Sequence, residues 1–317
     1  MYMKFLQCKS FAIAYTKRFK KGVFLLEYAI EIHDLVKYYG KSRGVSNISF
    51  TVSKGDFFGF IGPNGAGKST TIRSMLGLIH MNSGSIRILG MDAVKDHIKI
   101  LQKVGYMPSE TMFYPNLKVS QIIHMTEEAY QMNCRERANE LCDRLQVNTK
   151  KRIEELSLGN RKKVNIVCAM QHNPELYIFD EPTSGLDPLM QKEFFQLLGE
   201  VNKQGATIFF SSHVLNEVQT YCTNAAIIKE GKLVAVDKVS NLTKTSARRV
   251  TLRGFKTVPI IDGISNSYTD DNMVSFLYNG NSKELLKQLI ALDIYDVLIE
   301  EPSLEEIVLH YYGEDAL

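Results

Sequence analysis

The run Gly62-Pro63-Asn64-Gly65-Ala66-Gly67-Lys68-Ser69-Thr70 follows an apolar stretch, Phe57 to Ile61, and leads into Ile72-Arg73-Ser74-Met75-Leu76, a helix start. It fits GxxxxGK[ST] in the strand, loop and helix context that gives that pattern its meaning, which separates it from a glycine-rich surface turn. The glycines let consecutive backbone N–H groups turn inward, and the helix that follows adds its positive end, so the loop forms a cradle for phosphates. Lys68 is expected to hold the β and γ phosphates of a nucleotide, and Ser69 to ligate Mg²⁺. Around this unit, from Ile30 to about Ser240, short apolar runs (Phe57 to Ile61, Leu176 to Phe179, Thr207 to Ser211, Ala225 to Ile228) alternate with stretches of helical periodicity. That alternation implies an α/β sheet.

Two further apolar runs end in chemistry. Leu176-Tyr177-Ile178-Phe179 runs into Asp180-Glu181. An acidic pair at a strand end can simply cap a turn; downstream of a phosphate loop it reads as catalytic, with Asp180 holding Mg²⁺ through water and Glu181 polarising the attacking water. Thr207-Ile208-Phe209-Phe210-Ser211-Ser212 delivers His213 to the same sheet edge. A lone histidine there is more often structural than catalytic, and it gains weight only from its company.

Between Asn116 and Met170 the pattern turns helical, with Val119 to Met132 and Arg135 to Leu145 as expected helices, so a helical subdomain of about residues 110–170 interrupts the sheet. After Asn241 a different pattern begins. Arg249 to Leu252, Met273 to Leu277 and Ile294 to Ile299 read as strands and Ser282 to Leu292 as a helix; Ser303 to Tyr312 closes as another, its start marked by the capping-box spacing of Ser303 and Glu306. This predicts a small α+β domain over residues 243–317, after a main unit of residues 26–242.

Composition narrows the function. No stretch approaches the roughly 18 to 20 uninterrupted apolar residues of a spanning helix, so a membrane role needs a partner. The five cysteines (Cys8, Cys134, Cys142, Cys168, Cys222) show neither metal-site spacing nor an even disulfide count, which fits a reducing compartment. Residues 1–26 carry six basic side chains and no acidic one, and removing them leaves 32 basic against 35 acidic residues. The bulk of the chain therefore carries no overall positive charge for nucleic acid.

Read with Leu156-Ser157-Leu158-Gly159-Asn160 and Ser184-Gly185-Leu186-Asp187, these motifs resemble the nucleotide-binding domain of ABC transporters across roughly Ile30 to Leu242. The order carries the resemblance: Ser157 stands 23 residues before Asp180, the Asp187 loop follows Glu181, and His213 lies 33 residues after Asp180. The resemblance implies a P-loop cassette with an inserted helical subdomain that binds ATP with Mg²⁺ and hydrolyses it. Tyr39 would stack on adenine, although an ordinary strand-end aromatic is the simpler role, and Thr70 would reach a phosphate oxygen. Ser157 and Gly159 would address the γ-phosphate held by an opposite subunit, Asp187 would lie at that interface, and His213 would sense the γ-phosphate. The implied partners are a second copy or a paralogous cassette and an integral-membrane permease, with the groove around Ser109 to Leu117 as docking site, at the cytoplasmic face of the membrane. No nucleic-acid partner is expected; the rival class is a soluble ABC ATPase acting on nucleic acid or the ribosome. A weaker rival, a protein that holds ATP without turnover, is opposed by Glu181 and His213.

Three positions depart from the family pattern. Leu158 and Asn160 replace a glycine and a glutamine, a variant similar to that of bacterial exporter ATPases. Ser109 stands where the family has a glutamine. The closing segment from Glu301 to Tyr312 also resembles the tail of drug-, antibiotic- and polysaccharide-exporting ATPases, which favours export.

Residues 1–25 read equally as a segment outside the native protein, with Lys20-Lys21-Gly22-Val23 encodable by a ribosome-binding sequence before a start at Leu26, or as a basic tail that touches membrane. N-terminal sequencing of protein from the native host separates the two: peptides covering Lys4 to Lys17 are expected only from the tail.

Overall fold

The computed structural model describes residues 28–40, 42–110, 112–242, 247–292, 294–300 and 302. The segment 1–25 and the expected closing helix from Ser303 lie outside these residues.

The central sheet has six strands in the order β10-β9-β3-β8-β7-β6. They are β3 (Phe57–Ile61), β6 (Val104–Met107), β7 (Leu176–Asp180), β8 (Thr207–Ser212), β9 (Asn224–Lys229) and β10 (Lys232–Lys238). All pairings are parallel except β9 with β10. Every residue of β3, β7 and β8 is buried, as expected where a parallel sheet is covered on both faces and strands become continuous apolar runs.

The period of two still sorts those runs. Phe57, Tyr177, Phe179, Ile208 and Phe210 face one core, whereas Phe58, Phe60, Ile178 and Phe209 face another. The second core is closed by an antiparallel sheet in the order β2-β1-β4-β5, formed by β1 (Tyr28–Tyr39), β2 (Ser42–Ser53), β4 (Ser83–Ile88) and β5 (Met91–Asp92). Helices α1 (Lys68–Met75) and α2 (His97–Lys103) contribute Ile72, Met75 and Ile100 to it. Phe50 of β2 joins the two sheets, stacking on Phe58 at 5.6 Å and on Phe209 at 6.2 Å between ring centroids.

The first core is closed by α3 (Val119–Tyr130), α4 (Arg135–Arg144), α5 (Leu158–Met170), α6 (Pro188–Lys203) and α7 (Leu215–Tyr221). The first three sit between β6 and β7, where the sequence placed a helical insertion. Arg144, at the end of α4, fastens the insertion to α6: its Nε donates to Glu193 at 2.7 Å and its two terminal nitrogens donate to Glu200 at 2.5 and 2.9 Å.

After α8 (Val239–Leu242), a third sheet follows in the order β12-β13-β11-β14, from β11 (Ala247–Arg253), β12 (Ile264–Asp270), β13 (Met273–Asn279) and β14 (Asp296–Glu300). Helix α9 (Ser282–Ile290) packs Leu285 and Leu289 with Val250, Leu252, Val274 and Phe276 of that sheet. β12 does not appear among the expected strands because it is exposed along nearly its whole length and carries no apolar alternation. β1 and β2 escaped for another reason. Asp34 and Asn47 adopt positive φ angles of 49° and 56°, and the β1–β2 register shifts between Ile32 and Leu35, so the period of two breaks inside the strands.

His172, just past α5, stacks on Tyr130 at the end of α3 with centroids 3.5 Å apart. Burial pulls this imidazole down to about 4, with the Val104 backbone opposing it in part. Its folded value lies below the usual 6.5, so the unfolded chain binds the proton more readily. The contribution is fully present above about pH 6.5 and is lost as pH falls toward 4, amounting to at most about 3 kcal/mol. His172→Phe, which keeps a ring but removes the titration, should lose less thermal stability than the parent between pH 7 and 4.5. Equal acid sensitivity in scanning calorimetry would show that His172 does not carry the effect.

Candidate functional site

Parallel strands of one sheet end at one edge, and here four of them deliver polar groups to it. β3 ends at Ile61, in register with Ser212 of β8; Ser211 is in register with Asp180 of β7; and Met107 of β6 is in register with Phe179. The phosphate loop, His213, the Asp180-Glu181 pair and Pro108-Ser109-Glu110 therefore emerge side by side.

The loop is shaped by close approach. Gly67 caps α1 at φ 106°, and a Cβ there would lie 2.7 Å from a Val45 methyl. A Cβ on Gly62 would lie 2.4 Å from the Ile228 carbonyl oxygen, so neither position accepts a side chain. Gly65 is also left-handed, at φ 80°, and Ala66 closes the turn by donating its N–H to Pro63 at 3.1 Å. Lys68 is 4% exposed. Its ammonium donates to the carbonyls of Gly62 at 2.7 Å and Pro63 at 3.1 Å and pairs with the Glu181 carboxylate at 3.1 Å, which occupies all three donors.

Asp180 is fully buried. Its Oδ1 accepts from the Ser211 hydroxyl at 2.6 Å, while Oδ2 is buried without a hydrogen-bond partner. An orphaned carboxylate oxygen is costly unless something comes to it. Among the described residues, no cluster of three or more His, Cys, Asp or Glu would hold a metal alone. Asp180 with Ser69 instead suits a hard cation such as Mg²⁺, which takes few protein oxygens and completes its shell with water and substrate phosphates. The nearby Tyr106 phenol is pushed up by burial, with the Asp180 charge adding to it.

Glu181 has φ 49°, a left-handed conformation uncommon for residues with a Cβ. Its N–H donates to Ser211, reaching the carbonyl at 3.2 Å and the hydroxyl at 3.1 Å. Its carboxylate lies between Lys68 and His213, whose Nδ1 is 3.3 Å away. Its carbonyl accepts from the Lys162 ammonium at 2.7 Å. Lys162 and Ser211 were not singled out from the sequence. The available signals were a lysine at the start of the apolar run of α5 and a hydroxyl two residues before His213.

An open cleft of about 430 Å³ is lined by Tyr39, Asn64, Gly65, Gly67, Lys68, Ser69, Thr70, Ser109, Glu110 and Glu181, among others. Tyr39, 47% exposed, reaches Thr70 through a hydroxyl contact of 3.5 Å, and the Lys37 ammonium lies 5.1 Å from its ring centre. An adjoining cleft holds His213 with Glu181, Ser184 and Gly185. Ser157, Gly159 and Asp187 are not among the residues lining either cleft. Ser157 caps α5, accepting from the Asn160 N–H at 3.3 Å, and Asp187 caps α6, accepting from Met190 at 3.0 Å. Gly159 passes close to Gly185, whose carbonyl oxygen would lie 2.7 Å from an added Cβ. Leu158 beside it is 62% exposed. Ser157 and Asp187 are exposed as well, and Gly159 is half-buried.

Residues 45–184 match the family model described as ABC transporter. The linearmycin resistance ATP-binding protein LnrL of Bacillus subtilis is 30% identical over 305 residues, covering 90% of this chain and 98% of that protein. The bacitracin transport ATP-binding protein BcrA of Bacillus licheniformis is 37% identical over 222 residues, covering 69% of this chain and 72% of that one. A solved structure described as the ATP binding subunit of an ABC transporter superposes with a TM-score of 0.65 at 29% identity, covering 68% of this chain and 92% of that chain.

Ser109 and Glu110 both line the main cleft, so the missing glutamine can be tested directly. Serine ends two bonds short of glutamine, about 2.5 Å less reach. Direct Mg²⁺ coordination at about 2.0 to 2.1 Å does not tolerate that shortfall. Ser109→Ala should therefore lower phosphate release from ATP by about threefold or less, while a large loss in Glu110→Ala would mark that carboxylate as the substitute for the glutamine. A small effect of Glu110→Ala would point to water in that place. A fall near a hundredfold in Ser109→Ala, with ATP still bound, would show that the loop comes closer than its reach implies.

Proposed function

The chain belongs to the ABC transporter family of ATP-binding proteins, and on that premise we propose that it hydrolyses ATP to ADP and phosphate to drive an exporter. The observation that carries this reading is the Glu181 carboxylate, poised between the Lys68 ammonium and His213 at the mouth of a phosphate loop.

The nucleotide would lie along the cleft, its adenine against Tyr39 and its phosphates wrapped by the loop N–H groups, with Thr70 near a phosphate oxygen. A phosphate oxygen arriving at Lys68 takes the place of Glu181 on that ammonium. The freed carboxylate can then accept a proton from the attacking water, held in line by His213. Asp180 and Ser69 would hold Mg²⁺, which when bound neutralises charge building on the phosphate oxygens. Most of the barrier is lowered by such fixed charges and dipoles.

The loops that carry Ser157 to Gly159 and Asp187 line neither cleft, which supports their serving the nucleotide of a second cassette, identical or paralogous. Two ATP molecules would close such a pair, and hydrolysis would reopen it. Among the described residues no helix is long and apolar enough to cross a membrane, so a separate permease would carry the substrate, received in the groove from Ser109 to Leu117. There Met112 is 87% and Tyr114 67% exposed, apolar surface suited to a partner helix. This would hold the chain at the cytoplasmic face of the membrane. The relatives named for linearmycin resistance and bacitracin transport favour export, and neither favours the nucleic-acid alternative.

Glu181→Gln should bind ATP normally while turnover falls by about two or more orders of magnitude. The variant should then accumulate as an ATP-bound dimer, seen by light scattering after size exclusion. Near-normal turnover would remove Glu181 from the role of base.

A further inference from the structure

We propose that Lys162, through its hydrogen bond to the Glu181 carbonyl, is a positioning residue for the catalytic carboxylate. The inference rests on the reading of Glu181 as the base.

A residue with a Cβ held at φ 49° sits in a conformation costing roughly 1–2 kcal/mol, and it stays there only when its neighbours fix it. Glu181 is fixed from both ends of its backbone. The N–H is taken by Ser211 of β8, and the carbonyl by the Lys162 ammonium at 2.7 Å from α5. Two peptide planes held on opposite sides leave the Cα–Cβ vector one direction, and that direction sends the carboxylate to Lys68 and His213. Releasing the carbonyl lets the second plane rotate toward the extended conformation that a residue before proline, here Pro182, prefers, which swings the carboxylate away from the cleft.

Lys162 is 3% exposed. Burial pulls its ammonium below the usual lysine range, and the charges of Glu181 and Asp180 push the other way. A lysine needed only to pack α5 would do as well with an apolar end, because burying a charge costs more than burying a methyl group. A donor aimed at one carbonyl, beside two carboxylates, instead suits a positioning role.

The placement also has a reach. Lys162 lies five residues beyond Ser157 on the helix that begins at the signature loop. One helix therefore carries Ser157 at its start and grips the base of its own chain.

The test is a double-mutant cycle on ATP turnover in the full-length purified protein. Lys162→Met keeps the apolar stem and removes the donor. The expected kcat is lower by about tenfold or more, with KM for ATP within about twofold of the parent and an unchanged melting curve. Lys162→Arg, which restores a charged donor, should recover kcat to within about threefold. On a Glu181→Gln background, Lys162→Met should lower the residual rate by less than about twofold, because its effect passes through the carboxylate that is already gone.

A kcat within twofold of the parent in Lys162→Met, beside an inactive Glu181→Gln, overturns the proposal alone. So does a loss that repeats in full on the Glu181→Gln background, which would mark Lys162 as acting independently. Near-normal turnover in Glu181→Gln by itself overturns the reading of Glu181 and this inference with it. If Lys162→Met does not fold, the cycle is run with Lys162→Gln, whose amide ends one bond short. The same non-additivity is expected there, and full additivity rejects the proposal.

Discussion

Burying the Lys68 ammonium takes all three of its donors out of water, and a bare charge in that position would not be tolerated. The acceptors must come from the chain itself, and they come from different places. Two are carbonyls of the loop, which must bend sharply enough to aim them inward, and the third is the Glu181 carboxylate arriving from another strand. Meeting this one requirement bends the loop between Gly62 and Gly67 and ties the end of β7, across β8, to the loop that follows β3. It also leaves an ion pair at 3.1 Å that an anionic ligand can exchange into. A charge buried this way is weak evidence for stability but good evidence for a switchable contact.

The sheet supplies the precision. β8 lies between β3 and β7, so Ser211 reaches both carboxylate residues: its hydroxyl donates to Asp180 and accepts from the Glu181 N–H. A strand buried on both faces cannot shift register without moving phenylalanines across two cores, and the polar tips of these strands inherit that rigidity. The exposed residues have a different support. Ser157 and Asp187 stand at helix N-termini, where their side chains satisfy backbone N–H groups of the first turn.

Much of this was legible in the sequence. The phosphate loop, the acidic pair and His213 each follow a mostly apolar run, and a local run of that kind announces both the strand and the polar groups delivered at its end. What stayed hidden depends on contacts between distant segments. The antiparallel sheet of β1 and β2 was obscured because left-handed Asp34 and Asn47 interrupt its alternation. Exposed β12 has no pattern to read. In the sequence Lys162 is one of three consecutive cations, Arg161-Lys162-Lys163, and its burial and its partner exist only once α5 lies against the end of β7. The left-handed backbone of Glu181 is likewise a product of assembly, since glutamate has no local preference for it.

Arg144 joins the helical insertion to α6 at two places, Glu193 and Glu200, which lie two helical turns apart. A rod held at one point can swivel; held at two, it must follow the direction of whatever holds it. α6 has 16 residues, about 24 Å of rise, and Asp187 caps its far end. A load on the insertion would therefore pass into α6, which Phe194 and Phe195 hold against Phe179 of β7 and Phe210 of β8, and along it toward the Asp187 loop. A torque that a membrane partner applied to the insertion would then be felt where a second subunit would sit.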